Sequence, residues 1–218
     1  ARVAHSKGAL FHTDAVQAIG HIPIDVKELD VDLLSASAHK FNGPKGIGFL
    51  YIKDEVKIEP YFDGGSQEHS MRAGTENVAS IIGMAYALKN NCKQIESNRV
   101  HLNGLAKVII DKLCGNGNID FIRNGGHNTL PGMISLSFNG ANGESILHRL
   151  DLRGICVSTG SACDSVNTNV SHVLKAIELD EKYAKGTIRI SLGKNNTIED
   201  AYYIANEIIK IVRTKNLK

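Results

Sequence analysis

The 218-residue chain has no tryptophan and only 4 prolines, and no apolar run approaches the roughly 18 residues that a membrane span requires. Its net charge of +2 is nearly balanced, and it lacks the dense lysine and arginine clusters that mark a nucleic-acid-binding surface. We therefore expect neither a membrane nor a nucleic acid as a partner.

Cysteine is also scarce. The 4 cysteines form no C-x-x-C pair and show no metal-site spacing with the histidines, so neither zinc nor a disulfide framework is predicted. Reduced thiols favour a cytoplasmic location. Cys92, Cys114 and Cys156 fall in predicted helices or strands, where a free cysteine is usually a small buried residue. The chain also lacks an initiator methionine and an apolar signal core, which predicts an incomplete chain.

The sequence that is present has 42% hydrophobic and 22% charged residues, as in an ordinary globular protein. Its periodicity predicts two parts, residues 1–95 and residues 96–218. The first part has predicted strands at residues 9–14, 33–37 and 47–52 and a short helix at 15–19. A helical segment from 76 to about 113, which breaks near 90–91, crosses the boundary between the two parts. The second part has predicted strands at residues 133–138, 154–157 and 187–192, and helices at 143–150, 171–177 and 197–214.

Polar residues collect where the first two predicted strands end: Asp14, Gln17, Ser37, His39 and Lys40. These side chains suit a pyridoxal phosphate (PLP) site, in which a lysine amine bonds to the cofactor aldehyde and a carboxylate keeps the pyridine nitrogen protonated. Lys40 and Asp14 fit these two roles. Ser37 and His39 alternate on a predicted extended segment and can both donate to the phosphate, while Gln17 can reach the ring hydroxyl.

Each of these residues alone has an ordinary explanation, because an aspartate at a strand end is usually a turn residue and a lysine is usually solvated. The combined string is more specific. "FHTDAVQAIGHIPIDV" and "VDLLSASAHKFNGPKGIGFLYI" closely resemble the PLP-lysine region of NifS/IscS-type cysteine desulfurases. The resemblance covers about the C-terminal half of such an enzyme. It implies PLP fold type I: an α/β chain with part of the large PLP-binding domain (a mixed, mostly parallel sheet) over residues 1–95, then an α+β small domain over residues 96–218.

A second segment, "GGSQEHSMRAGTENVASIIGMAYAL", is similar to the glycine-rich loop and following helix of this family. The resemblance implies that Thr75 contacts the cofactor phosphate of the neighbouring subunit, and therefore that the protein is a homodimer with shared sites. A hydroxyl just before a helix N-terminus suits a phosphate. Thr75 can equally be the cap of a helix that begins at Glu76.

Two further segments resemble the family's catalytic loop and its carboxylate-binding strand. "GICVSTGSACDS" implies that Cys163 is the nucleophile, although Asp164 stands where family members usually carry Thr or Ser and would disfavour the thiolate. "GTIRISLGKNNTIEDAYYIANEI" implies that Arg189 binds the substrate carboxylate, for which a guanidinium fork is well shaped. A solvated strand arginine is the alternative for Arg189.

The reaction implied by the resemblance converts L-cysteine to L-alanine and leaves a persulfide on Cys163. That sulfur would pass to an acceptor or iron–sulfur scaffold protein, for cluster or thio-cofactor assembly. Two alternatives stay open. Another class V aminotransferase would share the lysine region but need no loop cysteine, so the "STGSAC" segment argues against it. A non-catalytic remnant would serve only as an interaction module.

Overall fold

The computed structural model describes residues 1–126, 128–159 and 170–213. They belong to two compact units, Ala1–Glu96 and Ser97–Lys218. Cys163 and Asp164, for which the sequence makes specific predictions, lie outside the described residues. Among the helices of the described ranges, none is long and apolar enough to span a membrane.

The first unit contains a three-stranded mixed sheet, formed by β1 (His12–Asp14), β2 (Leu33–Ser37) and β3 (Gly48–Ile52) in that order. β1 runs parallel to β2, and β3 runs antiparallel to it. The buried residues Leu34 and Ala36 alternate along β2 with half-buried ones, as expected for a sheet whose two faces differ in environment. Gly48 allows a close approach of β3, because a Cβ there would lie 2.3 Å from the Ala36 carbonyl oxygen.

Four helical elements accompany this sheet: α1 (Arg2–His5), two short 3₁₀ helices (Ala38–Phe41 and Glu68–Ser70), and α2 (Val78–Lys93). The predicted helix at residues 15–19 is only a turn, which covers residues 16–21 and contains Gly20 with φ +76. α2 continues through residues 90–91, where a break was expected, and stops only at Gln94. It continues because Asn91 is buried and donates a side-chain hydrogen bond to Ala87 O inside the helix.

A charged cluster closes the amino-terminal ends of β1 and β2. The carboxylate of Asp32, 4% exposed, accepts hydrogen bonds from the Phe11 amide at 2.7 Å and from His5 Nε2 at 2.7 Å. The other ring nitrogen of His5 lies 3.1 Å from Asp30, which also pairs with Lys53 at 2.9 Å. The hydrogen bonds from His5 and Phe11 hold the pKa of Asp32 below its ordinary value. This cluster fixes how the two parallel strands begin.

The second unit contains an antiparallel sheet of β4 (Phe121–Asn124), β5 (Met133–Phe138) and β6 (Thr187–Ser191) in that order. One face carries Leu136, Phe138 and Ile188, which are fully buried in a core shared with the surrounding helices. Those helices are α3 (Ile95–Cys114), α4 (Gly143–Asp151) and α7 (Ile198–Arg213), with short helices α5 (His172–Ala176) and α6 (Glu181–Ala184) between.

The sequence analysis missed two elements of this unit and predicted one strand that does not form. β4 and α6 were not predicted, and residues 154–157 do not form a strand. Instead, Ser158 makes an isolated antiparallel bridge to Arg189 of β6. The chain departs from a strand here because it has just left α4 through Gly154, whose φ is +73, and only one residue pair comes into register.

The prediction of buried cysteines outside the catalytic loop is also wrong, since Cys92, Cys114 and Cys156 are all exposed. Each follows a buried residue directly in the chain, and adjacent positions of a helix or an extended segment point in different directions. The buried predecessors are Asn91, Leu113 and Ile155.

Candidate active site

In the first unit, the predicted cofactor residues meet at one edge of the sheet. β1 and β2 are parallel, so their carboxyl ends lie at the same edge, where open α/β sheets usually bind ligands. Asp14 is the last residue of β1 and lies opposite Ser35 in the strand register. Ser37 ends β2, and Lys40 follows in the 3₁₀ helix Ala38–Phe41. A carboxylate and an amine are therefore placed at the same edge.

The backbone of the lysine turn is held by two side chains that the sequence analysis did not single out. His21 Nε2 donates to the Lys40 carbonyl at 2.9 Å. Asn91 of α2 donates to the next carbonyl, that of Phe41, whose ring is fully buried. Asn42 then ends the turn in the left-handed conformation, with φ 65. These anchors fix the position of the Lys40 backbone.

The Lys40 side chain itself is half-buried. Within residues 1–126, 128–159 and 170–213, its ammonium makes no hydrogen bond or ion pair. A lysine whose backbone is fixed and whose amine has no partner among the described residues is available to bind a ligand.

Ser37 and His39 lie together, although not on an extended segment as predicted. β2 ends at Ser37, and His39 belongs to the 3₁₀ helix because the Ala38 amide already bonds to Ile47 O at 3.0 Å. The Ser37 hydroxyl and His39 Nδ1 are 2.9 Å apart, which leaves the exposed Nε2 of the imidazole for another partner. The pair is suited to bind an anion such as a phosphate.

Asp14 has a fixed orientation, because its Oδ1 accepts the Val16 amide hydrogen bond at 2.9 Å. Next to it the structure reveals His12, whose Nε2 is 2.8 Å from the Ser35 hydroxyl. Strand alternation puts His12 and Asp14 on one face. The spacings H-x-D and S-x-S were the signal in the sequence that would have identified this polar face.

The remaining two predicted cofactor residues, Gln17 and Thr75, are exposed. α2 begins at Val78 rather than at Glu76, and its cap is Asn77, whose side chain accepts the Ser80 amide hydrogen bond at 3.2 Å. Thr75 is therefore not the helix cap, and the phosphate role is the one still open for it.

Among the described residues of the second unit, Arg189 is the predicted site residue. It is half-buried on β6, and its backbone exchanges two hydrogen bonds with Ser158, at 2.7 and 3.0 Å. Its Nε is fully buried and finds no hydrogen-bond partner among the described residues. An unpaired buried donor is costly, and more so on a charged group, so this atom is suited to an anionic acceptor supplied by a ligand.

The donor set fits PLP. Asp14 would face the pyridine nitrogen, the unpaired amine of Lys40 would bond to the aldehyde, and Ser37 and His39 would hold the phosphate, with Gln17 near the ring hydroxyl. When bound, PLP supplies an electron-withdrawing ring that stabilises negative charge at the substrate Cα.

Comparison with known proteins gives the family. The model of the class-V aminotransferases matches residues 1–204, so the chain belongs to that family, whose members use PLP. Cysteine desulfurase IscS of Dictyoglomus turgidum is 46% identical over 211 residues, which are 97% of this chain and 54% of that protein.

Solved structures agree with the family assignment. A NifS-like protein from Rickettsia africae superposes with a TM-score of 0.84 at 32% identity, over 96% of this chain and 55% of that one. SspA in complex with cysteine matches with a TM-score of 0.68 at 34% identity, over 88% and 52%. The predicted PLP fold type I is thus confirmed. The chain spans about half the length of the curated relatives it matches.

Proposed function

We propose that the protein to which this chain belongs is a PLP-dependent cysteine desulfurase. The observation that carries the proposal is the unpaired Lys40 amine at the same sheet edge as the oriented Asp14 carboxylate. The similarity to cysteine desulfurases and to a cysteine complex supports L-cysteine as the substrate.

In this proposal, residues 1–95 are the C-terminal part of the large PLP-binding domain and residues 96–218 the small domain. Arg189 binds the cysteine carboxylate, which explains its buried unpaired Nε. The Lys40 amine takes the proton from the substrate Cα and later returns one to the product, as a general base and acid. The anchors at the Lys40 and Phe41 carbonyls fix the backbone from which this amine reaches the substrate.

Sulfur transfer is assigned to Cys163. Its thiolate attacks the substrate sulfur, so that a new S–S bond forms and the bond between Cβ and sulfur breaks. The electron pair of the broken bond stays with the carbon skeleton, which takes up a proton and leaves as L-alanine. The persulfide on Cys163 then carries the sulfur to an acceptor or iron–sulfur scaffold protein, for cluster or thio-cofactor assembly.

The proposal extends to the state of the whole protein. We expect a cytoplasmic homodimer in which Thr75, exposed in this chain, contacts the cofactor phosphate of the neighbouring subunit. A free hydroxyl two residues before a helix cap is well placed for that contact.

Borohydride reduction followed by peptide mass spectrometry tests the central assignment. The cofactor should be fixed on Lys40, and Lys40→Ala should form no alanine from cysteine. Lys45→Ala, at an exposed lysine five positions later, is the matched control and should retain both properties. Cofactor fixed on a different lysine, or normal alanine formation by Lys40→Ala, would exclude the proposed site.

A further inference from the structure

A row of polar residues crosses the sheet of the second unit, on the face opposite its hydrophobic core. Asn124 of β4 pairs with Ser135 of β5, and Ser135 pairs with Arg189 of β6. Residues directly opposite each other on neighbouring strands project to the same face, with Cβ atoms about 4.5–5.5 Å apart. Ser135 is therefore the immediate neighbour of the proposed carboxylate-binding arginine.

The direction of the hydrogen bonds along this face follows from a backbone carbonyl at its end. Thr187 Oγ1 lies 3.5 Å from the Tyr183 carbonyl, which can only accept, so the Thr187 hydroxyl donates there. Thr187 then accepts from the buried Ser137 hydroxyl, 2.6 Å away. Ser137 in turn accepts from Asn124 Nδ2 at 2.7 Å. This sequence of donors and acceptors orients the Asn124 amide.

The second amide hydrogen of Asn124 goes to Ser135, whose Oγ is 3.0 Å from Nδ2. Ser135 thus receives a hydrogen bond, and its own hydroxyl proton makes no hydrogen bond to any residue in the described ranges. Asn124 Oδ1 is a buried acceptor that no donor of the described chain reaches. Two donors on neighbouring strands of this face also lack a partner in the described chain, the Ser135 hydroxyl and the buried Arg189 Nε. Neither can satisfy the other, because arginine has no acceptor.

We infer that Ser135 is a second donor to the substrate carboxylate beside Arg189, and that Asn124 is a positioning residue that orients the Ser135 hydroxyl. This inference rests on the proposed function and deepens it. A carboxylate has two oxygens and about four acceptor sites, so it can accept from Arg189 and Ser135 together. The site would then recognise α-amino acids with a free carboxylate and discriminate against their esters and amides.

Steady-state kinetics with L-cysteine and its methyl ester tests the inference in the full protein. Ser135→Ala should raise the KM for cysteine about tenfold to a hundredfold, as expected for a hydrogen bond to a charged group, with kcat little changed. Its KM for the methyl ester should stay near that of the wild type. Ser135→Thr retains the hydroxyl and should restore cysteine binding. Ser191→Ala, at an exposed serine two residues beyond Arg189, is the matched control.

The positioning role of Asn124 requires a double-mutant cycle. Asn124→Ala should raise the KM for cysteine in the wild-type background but not in the Ser135→Ala background, because its effect acts through Ser135. Equilibrium binding of L-alanine against alaninamide gives a second readout that does not depend on turnover. Additive effects of the two substitutions would overturn the positioning role.

The outcomes separate the inference from the proposed function. If Arg189→Lys weakens cysteine binding and Ser135→Ala does not, the role of Ser135 is refuted and the proposed function stands. If the wild type does not distinguish cysteine from its ester and Arg189→Lys has no effect, carboxylate recognition on this sheet is refuted altogether.

Discussion

The substitution Asn91→Ala tests whether α2 holds the lysine turn. Asn91 is 6% exposed, and its amide donates to the Phe41 carbonyl and to Ala87 O. Ala87 O lies within α2 and keeps its helical hydrogen bond when the side chain is removed. The carbonyl of Phe41 has no such substitute in the helix, so it becomes a buried acceptor that has lost its partner.

The expected magnitude follows from that one carbonyl. An unsatisfied buried acceptor costs about 1–3 kcal/mol of folding free energy. Alanine is the better helix former, by up to about 0.7 kcal/mol, which offsets part of the loss. Asn90→Ala gains the same helix propensity without removing a hydrogen bond to the lysine turn, so the difference between the two variants isolates the contact. At about 2–4 °C per kcal/mol for a chain of this size, Asn91→Ala should melt several degrees below Asn90→Ala.

The assay is thermal or urea unfolding followed by circular dichroism, because the chain has no tryptophan to report by fluorescence. Hydrogen exchange of the amides near Phe41 gives the local readout, and it should accelerate in Asn91→Ala alone. Borohydride fixation of the cofactor on Lys40 should also slow. Equal stability of the two variants, with equal exchange, would refute the idea that Asn91 anchors this turn.

Three further predictions concern other parts of the chain. Arg189→Lys keeps the charge but loses the two-point geometry of the guanidinium, so the KM for cysteine should rise while the cofactor absorbance stays the same. An unchanged KM would indicate that Arg189 is a solvated strand residue. Cys163→Ser should still bind PLP and should release almost no sulfide. In the wild type, persulfide mapping should label Cys163. The other three cysteines are exposed and serve as internal controls: Cys92, Cys114 and Cys156. The pKa of Asp32 is lower in the folded state than in the unfolded state, so its carboxylate stabilises the fold at pH values above the unfolded pKa of about 3.9. This stability is lost as the pH falls through the pKa of the folded state. Asp32→Asn should therefore reduce stability at neutral pH and flatten its decline between about pH 5 and 3; an unchanged pH profile would contradict the role of the His5 contact.

The local sequence pattern predicted some secondary-structure elements correctly and missed others. β2 and β5 match their predicted limits, residues 33–37 and 133–138, because short segments in which apolar residues alternate with serines specify a strand well. β4 was missed because Arg123 and Asn124 make a short, polar edge strand whose only apolar signal is Phe121–Ile122. Strand ends were less predictable, as β1 begins three residues later than expected.

Local sequence pattern also predicted only part of the candidate site. The sequence could place Asp14 and Lys40 near each other because Asp14 ends one strand and Lys40 comes shortly after the next, and parallel strands bring their carboxyl ends together. Asn91 and His21 could not be predicted, since their contacts with the lysine turn join residues about 20–50 positions apart and depend on packing. The partnership of Ser135 with Arg189 likewise depends on strand register, which is a property of the folded sheet.

The backbone bridge between Ser158 and Arg189 attaches the chain to β6 at a point shortly before Cys163 in the sequence. Ser158 is bound at both its amide and its carbonyl to β6, and Cys163 follows five positions later in the sequence. Even a fully extended chain of that length reaches only about 18 Å. If Cys163 is the nucleophile, as proposed, a sulfur acceptor has to bring its own thiol or scaffold site within that distance of β6, which limits how large and how deeply recessed the receiving group can be.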